Sequence, residues 1–134
     1  AAIRMLAGDI VSTHAYTRCT NPAIGDMDAI SLHFYTERGV FGVLNINFSS
    51  IAHQHQCLTI SADKGTIVYK DNVITVKKPD GDFEEKIDSD GGYCNEFLDF
   101  YNAIRNGQKV VSTFAEAFKD FRVLAEAIEK SRKS

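Results

Sequence analysis

Apolar and polar residues alternate along the first two thirds of the chain and then switch to a helical period. Residues 9–18 are rich in β-formers (Val11, Thr13, Tyr16, Thr17) and predict a strand. Residues 19–28 hold Asn21-Pro22, Gly25 and Asp26, which reads as a loop. In residues 29–36, Ile30, Leu32 and Phe34 point one way and Ser31, His33 and Tyr35 the other. Residues 41–50 repeat the pattern, with Leu44, Ile46 and Phe48 against Val43, Asn45 and Asn47. Arg38-Gly39 lies between these runs, so they predict a hairpin. A further strand is expected over residues 54–62, with Leu58 and Ile60 inward, ended by Asp63-Lys64-Gly65. Residues 66–69 and 73–77 flank Asp71-Asn72, residues that tolerate positive φ, and form a second hairpin. Pro79-Asp80-Gly81 turns the chain into a short strand at residues 83–87.

The period then changes. Phe97, Phe100, Tyr101 and Ile104 fall at i, i+3, i+4 and i+7, one face of a helix that stops at Asn106-Gly107. Thr113 and Glu116 have capping-box spacing. Phe114, Phe118, Phe121, Ala125 and Ile128 follow as an apolar stripe, expected to be a packing face. Residues 1–8 read as the tail of a helix closed by a glycine, which leads to the expectation of a segment upstream. Strands first and helices last predict an α+β domain, an open and mostly antiparallel sheet with helices packed on one face. At 134 residues, one domain over 1–134 is expected. The sheet face away from the helices would carry Ser31, His33, Tyr35, Val43, Asn45, Asn47, Thr59 and Ser61. It is polar yet free of formal charge, a candidate surface for self-association, most simply as a dimer.

Composition narrows the function classes. A hydrophobic fraction of 44% supports a core, and a net charge of -3 offers no basic stripe for nucleic acid. The cluster Lys130, Arg132 and Lys133 falls where cations suit a helix C-terminus. No apolar run approaches the roughly 20 residues of a membrane span. Three cysteines, Cys19, Cys57 and Cys94, with no C-x-x-C pair, fit a reducing, cytoplasmic setting. Neither G-x-G-x-x-G nor a P-loop occurs, so no cofactor-binding residue is expected in the chain. His53, His55 and Cys57 share a strand face and are zinc-ligand types, but three side chains fall short of a structural zinc site. No metal is expected, and a small metal-binding domain on those residues is the minor reading. Asp9 and His14 would point to opposite faces, and Ser49 and Ser50 lack a nearby base, so no catalytic residue is expected either.

The order of elements carries a resemblance. The strand Phe41-Gly42-Val43-Leu44-Asn45-Ile46-Asn47-Phe48 is followed by Leu58-Thr59-Ile60-Ser61-Ala62-Asp63-Lys64-Gly65-Thr66-Ile67. Then comes the segment from Tyr93 to Gly107, with Phe97-Leu98 and Ala103-Ile104 before its closing glycine, and a last amphipathic helix. Over essentially its whole length the chain resembles the C-terminal domain of the Gfo/Idh/MocA oxidoreductases, the family of glucose-fructose oxidoreductase and inositol dehydrogenase. The resemblance implies a parent chain whose N-terminal Rossmann domain, absent from this sequence, binds NAD or NADP. It implies an NAD(P)-dependent dehydrogenase of a sugar, polyol or related hydroxy compound, in which this part alone is inactive. The family's Asp-x-x-x-His element is missing, since Thr13 stands four residues after Asp9, so His14 inherits no catalytic role. By position the resemblance gives substrate contacts to His53, Gln54, His55 and Tyr93, which offer donors and acceptors for hydroxyl groups. It also implies association through the exposed sheet face. The alternative is a stand-alone dimerisation or ligand-binding module without a cofactor.

Overall fold

The period-2 alternation of the sequence returns as alternation of burial. Strands β1 (Ile10–Arg18), β2 (Ala29–Thr36) and β3 (Phe41–Asn47) form an antiparallel sheet in that order. The computed structural model describes residues 1–50, 56–88 and 91–132. It divides into two compact units, Ala1–Ile51 with Val111–Ser134, and Ala52–Val110.

In the first unit, Ala15 pairs with Leu32 and Leu32 with Leu44; Thr17 pairs with Ile30 and Ile30 with Ile46. These rows make one apolar face on which Ala15, Ile30 and Leu32 are buried. Helix α3 (Phe114–Ser131) covers it with Ala127, wholly buried, and with Leu124 and Ile128. The hydroxyls of Thr17 and Ser131, 3.2 Å apart, tie the end of the helix to the sheet. Gly42 faces Phe34 across the β2–β3 pair, and a Cβ there would overlap the phenyl ring, so the ring occupies the space of the missing side chain. At the start of α3, the Thr113 hydroxyl accepts the Glu116 amide at 3.2 Å, as the capping-box spacing predicts.

The apolar stripe of α3 differs from expectation. Phe114, Phe118 and Phe121 are 86%, 52% and 65% exposed, while Val123, Leu124, Ala127 and Ile128 turn inward. At 3.6 residues per turn the two faces lie roughly 120° apart around the helix. The sheet selected the face with the small Ala127, which lets the helix backbone approach closely. The phenylalanines stand to one side, Phe114 and Phe118 stacked at 6.3 Å.

Two polar anchors fasten the first unit. Helix α1 (Ala2–Ala7) ends at Gly8, φ 89°, as the sequence predicts, and presents Arg4 to three carboxylates. The guanidinium donates to Asp9 at 2.8 and 2.9 Å, to Glu116 at 2.8 Å and to Asp120 at 3.0 Å. Asp120, then Asp9 and Glu116, raise its pKa well above the usual arginine value. The second anchor is Asp28, 1% exposed at the end of the 19–28 loop. Its carboxylate accepts the amides of Thr20 at 2.8 Å and Asn21 at 2.6 Å and the hydroxyl of Ser49. The Ser49 hydroxyl, against the opposing effect of burial and together with the amides of Thr20 and Asn21, holds the carboxyl below its usual pKa.

The second unit is a run of hairpins: β4 (Cys57–Ala62), β5 (Gly65–Lys70), β6 (Val73–Lys77) and β7 (Phe83–Lys86), antiparallel in chain order. Asp71 and Asn72 take φ of 52° and 61° at the β5–β6 turn, the left-handed conformation that these residue types tolerate. Helix α2 (Tyr93–Asn106) follows and closes at Gly107 in the left-handed region, φ 66°, as expected.

The α+β class and antiparallel pairing agree with the sequence, but the described strands form two sheets rather than one. Alternation tells which face a residue takes and not which strand it pairs with. Short turns specify neighbours, whereas nine residues, 48–56, separate β3 from β4. Thr59 and Ser61 therefore stand on a different sheet from Ser31, His33, Tyr35, Val43, Asn45 and Asn47.

Candidate functional site

The first sheet has one face under α3 and one open face. Register assembles the open face in rows: Ser12, Tyr35 and Phe41; His14, His33 and Val43; Tyr16, Ser31 and Asn45; Arg18, Ala29 and Asn47. Tyr16 is 64% and Phe41 82% exposed, so the face is aromatic as well as polar. Arg18 at its edge is its one formal charge, counting the histidines as neutral. The rings of His14 and Tyr16 meet edge-on at 4.8 Å, and Tyr16 meets His33 at 6.2 Å.

The matching face of the second sheet is different. Cys57, Thr59 and Ser61 pair with Lys70, Val68 and Thr66, and the next strands add Lys77, Glu84 and Lys86. The residues expected on one uncharged face are thus divided between the first sheet, whose open face carries Arg18, and the second, which carries Lys70, Lys77, Glu84 and Lys86.

Of the expected substrate residues, Tyr93 is the first residue of α2. It is 68% exposed, and its ring lies against Gly91. His53, Gln54 and His55 lie outside the described residues, so their relation to Tyr93 is not part of the geometry. Cys57 opens β4, exposed, with its sulfur 3.9 Å from the Thr59 hydroxyl. Asp9 is engaged by Arg4, while His14 stands on the open face. Among the described residues no three His, Cys, Asp or Glu side chains converge as a metal site.

No protein-family model matches the chain, and no curated protein is significantly similar to it. Solved structures do match. An oxidoreductase from Thermotoga maritima is 25% identical, with a TM-score of 0.84, over 97% of this chain and 39% of its own. An oxidoreductase from Agrobacterium radiobacter, solved with NAD+, L-tartaric acid and magnesium, is 16% identical, with a TM-score of 0.83, over 97% and 43%. Biliverdin reductase from Synechocystis, solved with biliverdin and NADP+, is 14% identical, with a TM-score of 0.79, over 95% and 42%.

The chain has the fold of the C-terminal domain of a Gfo/Idh/MocA-type oxidoreductase. The chain spans about two fifths of the length of the structures it matches. Pairing register is what the sequence left out of the domain's site: nothing in the spacing from His14 to His33 tells that the two are cross-strand partners. The Arg38-Gly39 turn sets the register of β2 with β3 only, and β1 reaches β2 through the 19–28 loop, which carries no such signal. Among the described residues, no helix of the domain is long and apolar enough to cross a membrane.

Proposed function

We propose that this chain is the C-terminal part of an NAD(P)-dependent oxidoreductase acting on a sugar, polyol or related hydroxy compound. The observation that carries the proposal is the fold likeness over 97% of this chain to two fifths of an oxidoreductase, at 25% identity. In this reading a Rossmann domain precedes the chain in the parent protein and holds NAD or NADP. The NAD+ and NADP+ bound to two of the similar structures support that cofactor class. L-tartaric acid, a hydroxy acid, accompanies one of them and supports the substrate class, while biliverdin in another marks how widely the fold is used. His53, Gln54, His55 and Tyr93 form part of the substrate wall, where imidazole, amide and phenol groups meet hydroxyls. Three cysteines with no C-x-x-C pair among them fit a reducing cytoplasm.

The chain also pairs with a second copy through the open face bearing Ser31, His33, Tyr35, Val43, Asn45 and Asn47. Exposed aromatic area with little charge favours burial there.

The in-frame DNA upstream of Ala1 tests the enzymatic reading. It is expected to encode a strand, G-x-G-x-x-G and later Asp-x-x-x-His. A start codon with a ribosome-binding site directly before Ala1 overturns it in favour of a stand-alone module. Light scattering tests the pairing separately: dimers or larger are expected, and a strict monomer at high concentration rejects it.

A further inference from the structure

We propose that His14 and His33 form a bidentate site for a borderline divalent transition-metal ion, of the zinc or copper class, on the open face of the first sheet. The two are direct Cα partners in the antiparallel β1–β2 pair. Both side chains are exposed on the same face, which is where pairing at period 2 must put them. Side chains directly opposite on antiparallel strands have Cβ atoms about 5 Å apart. Two imidazoles so placed can converge on one ion, each nitrogen at the roughly 2.0–2.1 Å of a zinc–imidazole bond.

Both histidine rings meet the ring of Tyr16 edge-on, at 4.8 and 6.2 Å. Their backbones belong to the best-anchored part of the sheet: the adjacent row, Ala15 with Leu32, is buried beneath α3. Preorganised strands reduce the ordering cost that a loop site would carry. Val43 completes the row and is 52% exposed, giving the ion one apolar flank. No carboxylate stands in these rows, so the donor set is nitrogen, which suits zinc and copper and not magnesium or calcium. The remaining coordination positions are left to water or to a ligand from outside the chain. Register alone carries this proposal, and it does not require the oxidoreductase reading or the pairing of copies.

Titration calorimetry of the chain with zinc chloride tests it, with magnesium chloride as the control. Zinc is expected to bind one ion per chain and magnesium not at all. His14→Ala and His33→Ala are each expected to weaken zinc about tenfold or more, since even outer-shell partners of metal ligands are worth about 10–100-fold. The double variant His53→Gln/His55→Gln, which removes the other two of the chain's four histidines, is expected to retain zinc binding. Loss of zinc in that variant with retention in His14→Ala/His33→Ala overturns the assignment. So does the absence of any zinc binding at millimolar concentration. The imidazole proton resonances of His14 and His33 are expected to shift together on addition of zinc, and a shift of only one of them rejects a shared ion.

Discussion

Every buried side chain among the described residues (Ala15, Asp28, Ile30, Leu32, Thr36 and Ala127) lies in the unit formed by Ala1–Ile51 and Val111–Ser134. Among the described residues of the unit Ala52–Val110 there is none, although it contains four strands and a 14-residue helix. The first unit joins segments more than 100 residues apart, through Arg4 to Glu116 and Asp120 and through Thr17 to Ser131. The second is a chain of hairpins, each strand bonded to the next in sequence. The lesson is that regular secondary structure and a closed core are separate achievements. Local turn chemistry is enough to align β4 to β7, but tight packing needs a second layer, and within its own unit only the first sheet has α3 to provide one.

Substituting matched leucines breaks or sharpens this contrast most strongly. Leu32 is 1% exposed and sits at the centre of the first core, between Ala15 and Leu44. Leu32→Ala is expected to cost about 2–5 kcal/mol, as large-to-small changes in closed cores do. Leu58 is the half-buried counterpart on β4, paired with Tyr69. Leu58→Ala is expected to cost about 1–2 kcal/mol, because part of its surface already meets water. Urea denaturation monitored by circular dichroism checks both. Equal losses would remove the distinction between the units.

The same contrast explains what was legible in the sequence. Turn residues act locally, so Asp71-Asn72, Asn106-Gly107 and Thr113 predict their elements well. Alternation assigned faces correctly, with Ile30 and Leu32 inward and His33 and Tyr35 outward. What failed depends on partners distant in sequence. Phe114, Phe118 and Phe121 make the more hydrophobic stripe, yet α3 docks by Ala127 and Leu124, since close approach to β1 and β2 rewards a small residue. Thr59 and Ser61 alternate like Asn45 and Asn47, yet they belong to another sheet. The His14–His33 pairing is invisible to spacing for the same reason: 19 positions separate two residues that hydrogen bonding places opposite one another. For the candidate site, the sequence names residue types and not their geometry. Tyr93 was placed correctly at the opening of α2, but residue types alone cannot say which groups converge.

A polar anchor gives a smaller and more particular test. Asp28 closes the loop from β1 to β2 and reaches across to Ser49 after β3, so it joins both edges of the first sheet at one carboxylate. Nothing in the second unit, among its described and buried side chains, plays this part. Because the carboxyl is held below its ordinary pKa, the charged form is favoured by folding. The contribution is therefore fully present above the unfolded value of about 3.9 and is lost as pH falls through the lower folded value. Asp28→Asn keeps the shape but places an amide N–H₂ where an acceptor is needed, opposite the amides of Thr20 and Asn21 or the hydroxyl of Ser49. Its Tm at neutral pH is expected to fall on the order of 5 °C, the size of a moderate loss in a domain of this length. Its acid limb should also be shallower than that of the wild-type chain below about pH 4, because a titrating group that favours the folded state has been removed. Scanning calorimetry across that range checks both. An unchanged Tm with an unchanged acid limb would mean that the 19–28 loop is held without the Asp28 carboxylate, and the two units would then differ only in apolar packing.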